Sequence, residues 1–318
     1  MTSWEQTETA ATGPAFPPDP DYTPYTAQPF RVAMGLLPLD LKDWIEPDAH
    51  LAADLAEKER LLAERYDEVV NVRPEAEPGS QEVLGLLAEH LPARFPRLYQ
   101  RSGDELRNAA TGQSWDLAGS GLHPLDLAGR LVQEDLCLMH KEPDSDIYRL
   151  VGASVCFPTR WNLADKMGLS LAAIHGPTPG YRERLDSTMN RYFVRMRKPV
   201  WRLNWGLVDD PTLFQSTGHS RGGFNPDITA DNAGEKLWLR IERQTLRRLS
   251  RSQDIVFTIR IHVKPLSHLV AYPQRAVAMA RALRGMPDWW RLYKSLPAFQ
   301  DAVLGWLDRI GRSDGGQA

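Results

Sequence analysis

Cysteine is almost missing: Cys137 and Cys156 are the only two in 318 residues. Both stand in apolar segments and read as buried thiols of a cytosolic protein, not as a disulfide framework. Two cysteines cannot by themselves complete a four-cysteine zinc or iron–sulfur site. No apolar run approaches membrane length, so no membrane role is expected. The opening MTSWEQTETAATG lacks the basic start and apolar core of a secretory signal, so the cytoplasm is the expected location. Neither sign of charge dominates. Lys plus Arg number 38 and Asp plus Glu 41, a formal net charge of −3, which gives no general basic footprint for nucleic acid. There is no glycine-rich phosphate loop, no GxGxxG after a strand, no HExxH and no GxSxG. These absences argue against a self-contained nucleotide-dependent enzyme and against a serine hydrolase. No internal repeat or heptad run is present.

What remains is an ordinary globular composition, 42% apolar and 25% charged. Five prolines between Pro14 and Pro24 mark residues 1–28 as an irregular arm, expected to be disordered to about Pro20. Residues 29–311 are expected to form a single domain, and 312–318 a flexible tail. Pro29–Leu39 reads as an apolar docking segment, Asp40–Trp44 as a turn or short helix, and Asp48–Arg65 as a helix. Val69–Val72 is a candidate short strand. Ser80 is expected to cap a helix over Gln81–Leu91 that Pro92 and Pro96 stop. Tyr99–Trp115 reads as a loop or weak hairpin. Asp126–Leu138 reads as a helix, with Asp135 on a solvated face and Glu134 either there or turned toward a site.

The stretch Ile147–Gly206 holds the strongest functional signal. Tyr148–Val155 is a strand apolar on both faces, ended by Phe157-Pro158. The apolar run Met167–Ile174 leads into His175, followed by Gly176, Pro177, Pro179 and Gly180. A histidine fixed by a rigid turn beside a dry surface suits an axial metal ligand; a structural hydrogen-bonding role is the competing reading. Tyr181–Asn190 is expected to be helical. Pro199–Gly206 is a strand with Trp201, Leu203 and Trp205 on one face and Arg202 and Asn204 on the other. Pro211–Asn232, which contains His219, is a long loop. Lys236–Glu242 alternates as a strand, Gln244–Arg251 reads as a helical turn, and Asp254–Val263 is the clearest strand, ended by Pro265. Tyr272–Leu283 and Pro297–Gly311 are expected helices, separated at Pro287. Mixed strands without regular crossover helices argue for an antiparallel sheet with helices, an α+β class. If the strand faces bearing Arg202 and Asn204, Arg240 and Glu242, and Thr258, Arg260 and His262 converge, they build a concave charged site. Otherwise they form a solvated face with salt bridges. The arginines Arg240, Arg243, Arg247, Arg248 and Arg251 cluster locally and suit an anionic ligand or partner.

Five ordered blocks carry a resemblance: PFRVAMGLLPLDLKDWI, VQEDLCLM, VCFPTRWNLADKMGLSLAAIHGPTP, RLNW, and LRIERQTLRRL followed by IVFTIRIHV. From about Pro29 to about Leu307 the chain resembles the haem-binding catalytic subunit of haem-dependent oxidative N-demethylases, the dimethylamine monooxygenase-like family. Thr178 stands where the family turn has valine, and Ser250 where the arginine-rich block has proline. The resemblance implies a PAS-like antiparallel sheet flanked by helices and holding one haem b. It implies O₂-dependent oxidation of a small methylated amine, with electrons from a separate flavin and iron–sulfur reductase. On that reading His175 is the axial ligand to iron. From the strand faces, Glu242 is the candidate acid/base or amine-holding group. Arg240 and Arg260 are candidates for orienting dioxygen, a propionate or the histidine, and Arg202, Asn204 and Trp205 are candidates for contacting the cofactor. The arginines of the 240–251 block are the expected docking surface for the reductase. The main alternative is a non-catalytic haem sensor or carrier; another drops haem for a small-ligand scaffold using the arginine patch. Oligomerisation is compatible with any of these readings.

Overall fold

The computed structural model describes residues 16–27, 34–176, 187–218 and 223–312. Most of the expected arm and tail, residues 29–33 of the docking segment, Pro177–Gly180 of the turn, the first six residues of the Tyr181–Asn190 helix and His219 lie outside the described residues.

Among the described residues, ten strands form two sheets. They are β1 Leu37–Pro38, β2 Val70–Val72, β3 Tyr99–Ser102, β4 Glu105–Asn108, β5 Ser114–Asp116, β6 Asp135–Lys141, β7 Tyr148–Ser154, β8 Val200–Val208, β9 Trp238–Arg248 and β10 Ile255–Pro265. The main sheet is antiparallel in the order β1-β8-β9-β10-β6-β7-β2, and β3-β4-β5 make a small separate sheet. The helices are α1 Leu51–Glu64, α2 Tyr66–Val69, α3 Glu77–Arg94, α4 Pro124–Leu131, α5 Leu171–Ile174, α6 Ser187–Arg195, α7 Ala233–Lys236, α8 Pro273–Gly285, α9 Asp288–Tyr293 and α10 Gln300–Arg312. The class is α+β, as the pattern of elements required.

Strand alternation gives the main sheet two different faces. On the back, Leu136, Leu138 and Val256 pack with Leu51, Leu55, Leu87 and Leu131 from α1, α3 and α4. Leu239, Ile241 and Leu207 pack there with Ala276, Met279, Val303 and Leu307 from α8 and α10. On the front, Cys137, Met139, Leu246 and Ile255 pack under Leu171 of α5 and Phe193 of α6. Phe157, Ile259 and Ile261 close the other end with Leu61 and Leu62.

Three local expectations are corrected. First, β6 begins inside the segment read as a helix over Asp126–Leu138. The helix stops at Leu131, because Leu136 and Leu138 complete the ladder opposite Thr258 and Val256. Asp135 is therefore fully buried, not on a solvated helix face. Second, β9 runs unbroken to Arg248 where a helical turn was expected after Glu242. The turn to β10 is instead gathered by Glu82, whose carboxylate accepts the backbone N–H groups of Ser250 (2.7 Å), Arg251 (3.1 Å) and Ser252 (2.9 Å). Third, α3 starts before Ser80 and runs past Pro92. Proline at 92 frees the Ala88 carbonyl of its helical partner, and the Arg101 guanidinium donates to that carbonyl at 3.3 Å. The part of the arm beyond Pro20 is anchored. Tyr25 is buried among α8 and β8 residues, and the Tyr22 hydroxyl donates to Glu46 at 2.6 Å.

Candidate functional site

The front face is apolar at one end and polar at the other. His175 stands at the apolar end. The segment leading to it is tied to the edge of β7: Gly168 N–H donates to Leu150 O (2.8 Å), and Leu150 N–H donates to Leu169 O (3.1 Å). Gly168 has φ +74°, and a Cβ there would meet the Arg73 guanidinium at 2.5 Å, so this approach requires glycine. Ser170 caps α5 and Leu171 plugs its inner side into the apolar cluster. His175 follows α5 directly. Its backbone N–H and its ring Nδ1 both reach Leu171 O, at 3.1 and 2.9 Å. A carbonyl only accepts, so Nδ1 carries the proton and Nε2 the lone pair in the neutral ring. The ring is half-buried, with Met167, Ile174, Met189 and Tyr192 partly buried around the same cluster.

The polar end is organised around Glu242. Four residues along β9 separate it from Leu246, about 14 Å at strand rise. The Thr159 hydroxyl donates to Glu242 Oε1 at 2.6 Å. Asn204 Nδ2 and Gln244 Nε2 donate to Oε2 at 3.0 and 2.8 Å. Burial works to raise this carboxyl. The hydrogen bonds from Thr159 and Asn204 and the charges of Lys294 and Arg240 outweigh it, so the group lies below the ordinary value and is ionised. Lys294, from the turn after α9, donates to Asn204 Oδ1 (2.7 Å) and to Trp205 O (2.9 Å). Burial pushes its pKa down to about 8, opposed by Glu242 and assisted by Arg202. Between the two ends, Gln244, Phe257 and Arg202 lie on inner strands of the sheet yet stay partly exposed. The floor there is not a closed core.

The sequence-derived candidates divide between the faces. Glu242, Arg202 and Asn204 share the front: alternation groups Arg202 with Asn204, and the register of β8 on β9, with Asn204 opposite Glu242, adds Glu242. Arg240 is also on this face but is 1% exposed and occupied. Its Nε donates to Thr159 (2.9 Å), Nη1 to Thr212 O (3.0 Å), and Nη2 to Phe157 O and Leu213 O (both 2.9 Å). It clamps two loops and holds Thr159 against Glu242, and these contacts take four of its five N–H donors. Arg260 lies on the back. Glu242 registers with Ile261, so Arg260, one residue away, points to the opposite side. There it pairs with Asp48 (2.6 Å) and Asp54 (3.2 Å), while Arg243 pairs with Glu46 (3.0 Å) and His262 sits 3.0 Å from Glu46. Gln133 bridges Asp48 and Asp54, and Glu134 accepts from Glu46 N–H at 2.8 Å. This network pins residues 43–54 to the sheet. Trp205 also faces back, edge-on to Tyr25 at 5.8 Å, and offers the front only its carbonyl. The converging site expected from three strands is therefore built from two, β8 and β9, with Thr159 and Lys294 added.

The arginine block is not an exposed docking surface. Arg240 and Arg243 are buried, and Arg247 stacks over Trp44 at 4.6 Å. Arg248 donates to Met196 O (3.0 Å), Tyr148 Oη and Gln253 O (2.9 Å each) and also to Phe193 O, so it holds the end of α6. Arg251 alone of the five is exposed. Sequence reasoning missed Thr159, Gln244 and Lys294. Alternation after Glu242 would have found Gln244; no local signal marks Lys294.

Among the described residues no helix is long and apolar enough to cross a membrane. The model of one protein family, described as haem-dependent oxidative N-demethylase, alpha subunit-like, matches residues 35–304. With most of its length matched, including the His175 segment and all the strands of the polar cluster, the chain belongs to the haem-dependent oxidative N-demethylase alpha subunit-like family.

Proposed function

We propose that the chain is the haem-binding catalytic subunit of a monooxygenase that removes a methyl group from a small methylated amine. The observation that carries this reading is the pairing on one sheet face of a pinned imidazole at an apolar end with an ionised, hydrogen-bonded carboxylate at a polar end. The residues suit a haem b. Nδ1 of His175 is already committed to a carbonyl, and that contact would fix the ring of a histidine holding haem iron through Nε2. The neighbouring floor is apolar, and both cysteines are buried with thiols pushed up by burial, so a thiolate ligand is disfavoured. The PAS-like reading is supported by strand order. Numbered among themselves, the five long strands lie 2-1-5-4-3, with the His175 segment and α6 crossing the front between the second and third.

Bound haem would supply O₂ activation. The net reaction takes a methylamine, O₂, two electrons and two protons to the demethylated amine, formaldehyde and water. The chain carries no flavin or nicotinamide signature, so both electrons come from a separate reductase. Glu242 takes the amine as its ammonium, or removes a proton from it. Thr159, Asn204 and Gln244 hold the carboxylate, and Arg240 holds Thr159. These neutral donors leave Glu242 a charge to offer a cation.

The test is haem binding followed by turnover. The purified protein is expected to show a Soret band and to release formaldehyde from one member of a methylamine panel with a reductant. His175→Ala is expected to lose haem or to shift its spectrum strongly. A colourless protein that takes up no added haemin ends this reading, and a haem protein that oxidises no amine favours a sensor or carrier.

A further inference from the structure

Arg202 is a cation without an anion. Among the described residues it makes no hydrogen bond or ion pair, and its Nε is shut off from solvent with no acceptor. The side chain is partly exposed, but a donor enclosed as this Nε is ordinarily paired. Its position accounts for the vacancy in partners. On β8 it lies opposite Gln244 and two residues from Asn204, and both of these amides donate to Glu242. They stand between the guanidinium and the carboxylate, so the two charges are neighbours without bonding to each other. Lys294 adds a second cation: its ammonium is held through Asn204, the same amide that holds Glu242. Arg240 commits four of its five N–H donors to carbonyls and Thr159. Around one carboxylate, then, the front face sets Arg202 and Lys294, a surplus of positive charge that a bare alkylammonium substrate would not meet.

We propose that the substrate is a zwitterion, an N-methylated amino acid whose carboxylate is bound by Arg202 beside Lys294 while Glu242 takes its ammonium. This rests on the N-demethylation reading and narrows its substrate class. An Arg–carboxylate pair is strong and geometrically selective. A site with fixed poles of both signs rejects a ligand that fills only one, because the other is left buried and unpaired. The carboxylate could instead belong to a haem propionate, and the experiment separates the two.

Haem-loaded protein is titrated with N,N-dimethylglycine and, separately, with dimethylamine, following the Soret band and binding heat. Haemin affinity of the wild type and Arg202→Gln is measured in parallel. The expected result is that dimethylglycine binds at least about tenfold more tightly than dimethylamine, the scale of one charged hydrogen-bonded pair. Arg202→Gln is expected to erase that preference with haemin affinity unchanged. Equal binding of the two compounds, or tighter binding of dimethylamine, overturns the proposal. So does a fall in haemin affinity in Arg202→Gln, which assigns the arginine to a propionate. Failure of the wild type to bind haemin at all refutes the parent reading and is visible before either titration begins.

Discussion

Lys294 offers a direct measure of how the polar end is built. Among the described residues its ammonium has Asn204 Oδ1 and Trp205 O as acceptors, with the rings of Trp290 and Tyr293 at 5.5 and 5.9 Å. Burial lowers its pKa from 10.5 to about 8. Each tenfold change in proton affinity is worth about 1.4 kcal/mol, so holding the charge in the folded state costs up to about 3 kcal/mol. The sign follows from linkage. Between about pH 8 and the unfolded value near 10.4, the unfolded chain binds the proton that the folded chain has released. Stability from this group therefore rises with pH through that window and is lost again as pH falls through about 8. Lys294→Met keeps the length and removes the charge. Losing two hydrogen bonds shifts its stability by a constant, whereas the pH-dependent part disappears. Urea unfolding of both proteins without cofactor, at intervals from pH 7 to 10, is expected to show the wild type gaining up to about 3 kcal/mol relative to the variant. Parallel curves would mean that Lys294 is solvated, and the buried charge pattern around Glu242 would need redrawing.

Two further substitutions separate the faces of the sheet. Glu242→Gln is expected to retain fold and haem binding and to lose amine turnover and the amine-induced spectral change; unaltered kinetics would reduce Glu242 to a structural acceptor. Arg260→Met leaves Asp48 and Asp54 buried without their cation, and is expected to cost about 3–5 kcal/mol in denaturant unfolding, while the protein that remains folded binds amine as the wild type does. A change in amine affinity with unchanged stability would place Arg260 in the site after all.

Much of this organisation was legible in the chain itself. The period-two alternation of Trp201–Trp205, Leu237–Glu242 and Ile255–Val263 fixed which side chains share a face within each strand, because successive Cβ atoms point to opposite sides. It also placed Arg202, Asn204 and Glu242 among the polar positions, and the apolar run ending at His175 was readable without coordinates. Alternation says nothing about register between strands. Whether Arg260 joins Glu242 or turns away depends on a one-residue offset between β9 and β10, and a one-residue offset exchanges faces. Local pattern also misread β6, since LVQEDLCL serves a helix or a doubly buried strand equally well until Thr258 and Val256 pair with Leu136 and Leu138. Tertiary structure alone decided that Arg240, Arg243 and Arg248 are spent on backbone carbonyls, because their partners lie tens of residues away in loops with no periodic signal. It decided in the same way that Thr159 and Lys294, 135 positions apart in the sequence, serve one carboxylate, Thr159 by bonding Glu242 and Lys294 by holding Asn204, which bonds it: the first comes from the chain leaving β7 and the second from the turn after α9, and only the packing of both against the front of the sheet brings them together.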